Sequence, residues 1–230
     1  NDITTMTPGR CRYSMMCYEN GGTVDDVLVY KYSDEDYLLV INAGNTAKDI
    51  DWFNKNKFGD VVVTDESPLW AQLALQGPKF TDVLERAGVA GELPQKNYTF
   101  VAQTSVAGIK CMVSRTGYTG EDGVELYCKA SDGPALHAAL VKAGALPCAL
   151  GARDTLRFEA GMPLYGHEMN ETVTPMEVGI GFAVKMNKPD FIGKAALAER
   201  VKRARIGLKL TERGIMREHC DVFCDGRLVG

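Results

Sequence analysis

The chain has 230 residues, 45% of them hydrophobic and 24% charged, which is ordinary for a globular protein and enough for one large domain or two modest ones. Its 26 basic and 30 acidic side chains give a net charge of -4 without a concentrated basic tract, so nucleic acid is not the expected partner. No apolar run reaches the length that crosses a bilayer, so no membrane association is expected either.

Cysteine and histidine usage predicts neither disulfides nor a metal site. The seven cysteines are an odd number, and their spacing matches neither a zinc ribbon nor a redox CxxC pair. We therefore expect reduced thiols in an intracellular protein. His137, His167 and His219 lie far apart without HExxH-like spacing, so no metal is predicted.

The first half of the chain predicts short strands and helices. Residues 36–42 (DYLLVIN) have the apolar, β-prone character of a strand, and Asn45 or Thr46 is typical of an N-cap that opens a helix. Further predicted elements are strands at 60–64 and 70–75 and a helix at 79–87, which Pro78 opens.

The second half predicts a glycine-rich hairpin followed by helices. Its predicted elements are strands at 108–115 and 124–129, helices at 131–143, 150–160 and 195–204, and a strand at 206–210. A last hairpin turns at Asp225-Gly226, and we expect it to continue beyond Gly230. Short strands without a steady βαβ alternation predict an α+β fold with largely antiparallel sheets and packed helices.

The first chemical candidate is the block GGTVDD (21–26), which enters a predicted strand at 27–32. Adjacent residues of a strand point to opposite faces, so one of Asp25 and Asp26 can be solvated while the other faces a cleft. A partly buried carboxylate can orient or deprotonate a nitrogen nucleophile. The alternative interpretation is a hairpin turn with two solvated acids.

The second candidate is Glu125, just after the turn RTGYTGEDG (115–123). The glycines of this turn let the backbone approach a ligand or adopt positive φ. Val124 and Leu126 are apolar, so Glu125 faces the opposite side of its strand. A carboxylate there can accept two parallel N–H donors from a flat heterocycle such as a pterin. The alternative is an exposed acid on a half-solvated sheet.

The third candidate is the helix GARDTLRFEA (151–160). Arg153 and Arg157 lie one turn apart, and they can simply form salt bridges along a surface. The helix is otherwise apolar, however, so at least one arginine should be partly buried. A buried guanidinium requires a fixed anionic partner.

Six sequence blocks are distributed between residues 21 and 197. They are GGTVDD (21–26), LALQGP (73–78), SRTGYTGEDGVEL (114–126), LGARDTLRFEAGMPLYGHEMNE (150–171), TPMEVGIGFAVK (174–185) and DFIGKAAL (190–197). In this order they resemble the T-protein of the glycine cleavage system, a family of aminomethyltransferases. Each glycine turn alone is a weak signal, but six ordered blocks are specific.

The resemblance implies transfer of the aminomethyl carbon from lipoyl-bearing H-protein to tetrahydrofolate, with release of ammonia. Tetrahydrofolate is then a co-substrate, H-protein the partner, and no metal is implied. By the same resemblance Asp26 is catalytic and activates the folate nitrogen, Glu125 binds the pterin and Arg153 contacts the folate. Further positions that match the folate cavity are Tyr13, Val40, Asn42, Tyr98 and Tyr118.

The family fold is a three-domain ring around the folate. By resemblance, residues 1–74 with 167–202 form a first α+β domain, residues 75–166 a second, and residues 203–230 the start of an incomplete C-terminal β-barrel domain. The family's opening segment is absent, so we expect a fragment that lacks both ends of the enzyme. Phe182 stands where many members carry Trp.

Three competing functions are considered. A folate-binding iron–sulfur maintenance protein is expected to carry a KGCYxGQE-like motif, and the matching GMPLYGHEM (161–169) lacks the Cys. A folate-linked demethylase unit often alters the paired-Asp block, which is intact here. The third alternative is a non-catalytic fragment that docks H-protein or associates with itself.

Overall fold

The computed structural model describes residues 1–199 and 203–230. Within these ranges the three sheets are antiparallel and helices accompany them, which confirms the predicted α+β class. The strands are β1 (Cys11–Cys17), β2 (Thr23–Lys31), β3 (Tyr37–Val40), β4 (Trp70–Gln76), β5 (Phe100–Val106), β6 (Ile109–Ser114), β7 (Gly123–Lys129), β8 (Phe223–Cys224) and β9 (Arg227–Leu228). The α-helices are α1 (Thr46–Asn56), α2 (Phe80–Arg86), α3 (Gly133–Lys142), α4 (Leu150–Glu159) and α5 (Lys194–Leu197).

Two sheets pack face to face and position the site. The first has the order β1-β2-β3, the second β4-β7-β6-β5, and β8 and β9 form a separate hairpin as predicted. Side chains of β7 alternate between two layers. Val124 and Leu126 join a core built with α2 and α3, whereas Tyr127 packs on Tyr30 of β2 with ring centroids 5.9 Å apart. Glu125, on the same face as Tyr127, therefore lies between the sheets.

Strand β2 begins earlier than predicted, so both aspartates of the GGTVDD block lie inside it. The start of β2 is hydrogen-bonded to the segment at 170–173. The amide of Thr23 donates to the carbonyls of Asn170 and Val173, at 3.0 and 3.1 Å. A Cβ on Gly22 would lie 1.8 Å from the carbonyl oxygen of Glu171, so this close approach requires glycine.

Three element predictions need correction. Neither 60–64 nor 206–210 is a strand, and Val62 and Ile206 are exposed, at 84% and 68%. Among the described strands none pairs with either β-prone run, and β-propensity alone does not make a strand. The predicted helix at 195–204 corresponds to the short α5, and part of it, 200–202, lies outside the described residues. The division into three domains stays a prediction.

Candidate functional site

Asp25 and Asp26 sit near the start of β2, and neither is a solvated acid of a turn. Asp25 is completely buried, and Asp26 is half-buried. The strand is extended by pairing with β1, where Asp26 lies opposite Met15 and Asp25 opposite Met16. Two carboxylates withdrawn from water require donors to compensate for their lost hydration.

Asn42 supplies donors to both aspartates. It follows β3, and its side-chain nitrogen lies 2.8 Å from Oδ1 of Asp25 and 2.8 Å from Oδ1 of Asp26. Its backbone amide also donates to Oδ2 of Asp25, at 3.2 Å. Because both side-chain partners are acceptors, the orientation of the Asn42 amide is fixed by chemistry. The predicted cavity residue Asn42 thus connects the two carboxylates.

Asn45 or Thr46 was predicted to cap α1, and Asn45 occupies the N-cap position. Its side chain makes no capping bond, however. The amide nitrogen instead donates to Oδ1 of Asp25, at 3.0 Å. The residue at the start of α1 therefore donates to the buried carboxylate of Asp25. The asparagine that the sequence pattern assigned to helix capping thus binds Asp25 instead.

Tyr13 of β1 completes the surroundings of Asp26. Its hydroxyl donates to Oδ2 of Asp26 at 2.9 Å. Burial raises the pKa of Asp26 and the neighbouring Asp25 adds to the rise, while the hydrogen bonds from Tyr13 and Asn42 oppose it. The net pKa is above the ordinary Asp range. A carboxylate with a raised pKa is suited to take a proton near neutral pH.

Tyr118 and Arg153 lie on the glycine-rich turn and on α4. The Tyr118 hydroxyl donates to the Pro163 carbonyl at 2.5 Å, and the Arg153 guanidinium lies 5.2 Å from the Tyr118 ring centroid. Burial raises the pKa of Tyr118 to about 12, and the charge of Asp26 contributes to the rise. Arg153 therefore lies over the Tyr118 ring and is exposed to solvent.

Arg157 confirms the expectation of a buried arginine on this helix. Its side chain is 5% exposed and makes 2.8 Å contacts with Asp154 and Glu168. It also donates to the carbonyl of Met162, at 3.2 Å. Although Arg153 and Arg157 are one turn apart, only Arg157 is enclosed, because Glu168 lies beside it. Arg157 is thus held by its ion pair with Glu168, whereas the side chain of Arg153 is exposed to solvent.

Glu125 is buried, not an exposed acid of a half-solvated sheet. Oε1 accepts a 2.8 Å hydrogen bond from Gln72, and Oε2 accepts a 2.5 Å hydrogen bond from Thr116. Tyr127 donates more weakly, at 3.4 Å. The charge of Glu125 contributes, after burial, to the raised pKa of Tyr98. Sequence reasoning missed Gln72 and Thr116, since only the pairing of β4 with β7 brings Gln72 to Glu125.

A cavity of about 510 Å³ opens beside Tyr13. Its lining combines aromatic and basic side chains: Tyr13, Tyr98, Phe182, Arg10, Arg12 and Lys185. The rings of Tyr13 and Phe182 stack at 6.2 Å. Phe182 was noted in the sequence only as a replacement for Trp.

Not all predicted site residues line this cavity. Tyr13 and Tyr98 do, whereas Glu125 and Arg153 do not, so the assignment of Glu125 and Arg153 to folate binding stays a prediction. Val40 packs at the edge of the core between the sheets and pairs with Leu28. Val40 therefore lies in the same sheet as Asp26, and its side chain can offer a ligand only apolar contact.

Other features of the described residues bear on function. Within 1–199 and 203–230, no group of three or more His, Cys, Asp or Glu is placed to hold a metal ion. The seven cysteines have free thiols. No helix in the part of the chain that the structure describes is long and apolar enough to cross a membrane.

The fold and site define an α+β protein in which two packed sheets carry a carboxylate pair, Asp25 buried and Asp26 half-buried, beside a cavity lined by aromatic and basic side chains. The chain belongs to the family of the GCVT N-terminal domain, whose sequence signature matches residues 1–188. This confirms the resemblance to the T-protein family, because that domain family is the one the six blocks indicated.

Relatives and a solved structure agree with this assignment. The chain is 50% identical to an aminomethyltransferase of Geobacillus kaustophilus (strain HTA426) and 46% identical to one of Bacillus subtilis (strain 168). Each match covers 100% of this chain and 66% of the relative. The crystal structure of glycine cleavage system aminomethyltransferase T from Bartonella henselae is similar with a TM-score of 0.73 at 31% identity, over 85% of this chain and 54% of that one. The chain thus spans about two thirds of the length of these curated relatives.

Proposed function

We propose that this chain carries the folate site and the catalytic carboxylate of a glycine cleavage aminomethyltransferase. The reaction moves the aminomethyl carbon from lipoyl H-protein to tetrahydrofolate and releases ammonia. The observation that carries the proposal is the half-buried Asp26, held by Tyr13 at 2.9 Å and Asn42 at 2.8 Å. A carboxylate with fixed geometry and a raised pKa suits proton transfer at a nitrogen nucleophile.

Asp26 is assigned the catalytic role. It orients the folate nitrogen that attacks the aminomethyl carbon, and while ionised it stabilises the positive charge of the iminium that develops; it accepts the proton of the attacking nitrogen only as that charge is lost. The hydroxyl of Tyr13 and the side-chain amide of Asn42 each donate to one oxygen of Asp26. These two hydrogen bonds fix the orientation of the Asp26 carboxylate. They also oppose the rise in the pKa of Asp26 that burial causes.

The other site residues are assigned to binding. Glu125 accepts donors from the pterin, while Tyr98, Tyr118 and Val40 provide flat or apolar contacts. Arg153, exposed and resting on Tyr118, offers a cation to a folate carboxylate. The cavity volume of about 510 Å³ is suitable for a ligand of this size, and its mixture of rings and basic groups fits a flat heterocycle that carries carboxylates.

Lipoyl-bearing H-protein is the proposed partner, with no metal, and the cytoplasm is the proposed location, or the mitochondrial matrix in a eukaryote. The proposed domains are 1–74 with 167–202, then 75–166, with 203–230 beginning a C-terminal barrel. The proposed partner and location follow from the proposed aminomethyltransferase activity of the whole protein.

The test has two parts. Isothermal titration of the 230-residue chain with tetrahydrofolate should give saturable binding with one site. Aminomethyl transfer from aminomethylated H-protein is then measured as tetrahydrofolate-dependent ammonia release, in this chain and in a full-length aminomethyltransferase background. Binding without turnover in either background would overturn the enzyme proposal and favour a non-catalytic folate module. Absence of binding in both would overturn the folate proposal.

A further inference from the structure

Asp49 is a buried carboxyl to which the proposed reaction assigns no role. It lies in the first turn of α1 and is completely inaccessible to solvent. Among the described residues, neither of its oxygens has a hydrogen-bond partner by geometry. Burying an ionised carboxylate without such partners is costly, so the protonation state of Asp49 requires an explanation.

Lys48 does not neutralise Asp49 in a well-formed ion pair. Its Nζ lies 3.3 Å from Oδ1 of Asp49 without hydrogen-bond alignment. The ammonium donates instead to the carbonyl of Val24 and lies 4.2 Å from the ring centroid of Tyr165. Lys48 is also partly exposed, so its charge is shared with water.

The buried carboxyl beside Asp49 is that of Asp25. Asn45, one turn earlier on the same face of α1, donates to Oδ1 of Asp25 at 3.0 Å, and Lys48, 3.3 Å from Asp49, donates to the carbonyl of Val24, so this face of α1 packs against the start of β2. The three other contacts of Asp25 all come from donors, two from Asn42 and one from Asn45. Asp25 is thus an acceptor throughout, which is the behaviour of a carboxylate. Two buried carboxyls in contact cannot both be ionised at low cost, and a shared proton resolves the conflict.

We propose that Asp49 is a positioning residue that holds a proton and donates a hydrogen bond to Asp25, fixing the carboxylate that clamps Asn42 against Asp26. The connection runs from α1 to β2 and then to the residue after β3. It rests on the proposed function only in that Asp26 is taken as the reactive carboxylate.

The electrostatics of the cluster agree with this arrangement. Burial, then the hydrogen bond and charge of Asp25, raise the pKa of Asp49 to about 8, while Lys48 opposes the rise. The groups that face Asp49 are Asp25 from β2 and Lys48 from its own helix, with Tyr165 on the far side of Lys48. Asp26 is connected to this pair indirectly, through the side chain of Asn42, which donates to both Asp25 and Asp26. A proton on Asp49 leaves one negative charge in the Asp25–Asp49 pair.

The first measurement is the thermal midpoint of the 230-residue chain between pH 5 and pH 9. A carboxyl whose folded pKa is raised above its unfolded value contributes stability below the unfolded pKa, and that contribution disappears as the pH rises through the folded pKa. The midpoint of the unchanged chain should therefore fall relative to that of Asp49→Asn, by several degrees across this range. The matched control is Asp51→Asn, an exposed acid two residues along α1, which should follow the unchanged chain.

An ionised Asp49 gives a different result. Asp49→Asn would then lower the midpoint by a similar amount at every pH of the series, and that outcome overturns the proposal. Infrared spectra of the same proteins at pH 6 provide a second readout. The carbonyl band of a protonated, buried carboxyl should be present in the unchanged chain and in Asp51→Asn, and missing in Asp49→Asn.

The second measurement is the titration of Asp26 by carboxyl ¹³C NMR in the ligand-free chain, which needs neither folate binding nor turnover. Asn at position 49 can still donate to Asp25, so Asp49→Asn should leave the Asp26 titration unchanged. Asp49→Leu removes the donor, loosens Asn42 and should move that titration to higher pH. If Asp49→Leu folds and Asp26 titrates as before, Asp49 has no positioning role. Failure of folate binding alone would leave this result intact and reject only the proposed function.

Discussion

The hydroxyl of Tyr13 donates a 2.9 Å hydrogen bond to Oδ2 of Asp26 and thereby links neighbouring strands β1 and β2 at the candidate site. This bond favours the ionised form of Asp26 and opposes the rise in its pKa that burial causes. The ring of the same tyrosine lines the cavity, so one side chain connects the proposed ligand space with the proposed base.

Replacing Tyr13 with Phe should therefore move the acid limb of the pH–rate profile. Loss of the hydrogen bond raises the pKa of Asp26 further, and the active, ionised form then appears only at higher pH. The expected shift of the kcat/KM limb is about 1 pH unit, the worth of one hydrogen bond to a charged group. Tyr98→Phe, at a cavity tyrosine that makes no hydrogen bond to Asp26, is the control and should leave the limb in place. A limb that does not move in Tyr13→Phe would mean that another group titrates.

Asp26→Asn should separate turnover from binding. The change keeps the size of the side chain and an acceptor for Tyr13 but removes the charge and the ability to take a proton. Turnover in a full-length background should fall by about 10²–10⁴, with tetrahydrofolate affinity and stability little changed. If folate binding is lost instead, without a separate defect in turnover, Asp26 is a binding residue and its catalytic assignment is wrong.

Asp25→Asn is expected to act through stability. From sequence, Asp25 points away from Asp26 and its replacement should cost much less activity. In the folded chain Asp25 is buried and accepts from Asn42 and Asn45. An amide at position 25 would turn its own N–H groups toward these donors, so the free energy of unfolding should fall by about 1–3 kcal/mol. Urea denaturation of Asp25→Asn beside Asp26→Asn measures the difference, and equal stabilities would contradict the network.

Glu125→Gln tests the pterin assignment. The substitution retains the shape of the side chain and an oxygen that can still accept the hydrogen bond from Gln72. It removes the negative charge that Glu125 offers to two ligand donors. Tetrahydrofolate affinity should fall by about 10–100-fold, as expected for weakened hydrogen bonds to a charged group. Glu121→Gln, an exposed acid in the adjoining turn, should bind as before. Equal affinities for both variants by calorimetry would remove Glu125 from the binding site.

The two arginines of α4 should give opposite phenotypes. Arg157→Leu leaves Glu168 without its buried cation and should reduce the free energy of unfolding by about 3 kcal/mol. Arg153→Leu alters an exposed side chain and should change stability by no more than about 0.5 kcal/mol, while weakening folate binding. Denaturation and calorimetry on the same two proteins check both statements. Destabilisation by Arg153→Leu equal to that by Arg157→Leu would contradict the division of roles.

The sequence by itself determined the family, the α+β class and most helices and strands. These features depend on local patterns: glycine turns, apolar alternation and caps, which act over a few residues. It also indicated one buried arginine on α4, although the apolar side chains Leu156 and Phe158 of that helix are exposed and the ion pair with Glu168 is what accompanies the burial of Arg157. The same local reasoning placed strands at 60–64 and 206–210, where none of the described strands pairs with them, because propensity does not reveal the neighbouring strand.

Only the tertiary structure decided which polar groups meet. Asn42 and Asn45 reach Asp25 because β3 and the start of α1 return beside β2, and Gln72 reaches Glu125 through the register of β4 with β7. Asp49 looks like an ordinary acid in the first turn of a helix, and only its enclosure beside Asp25 makes its proton important. The protonation of a carboxyl depends on burial and on charges distant in sequence, so no local pattern encodes it.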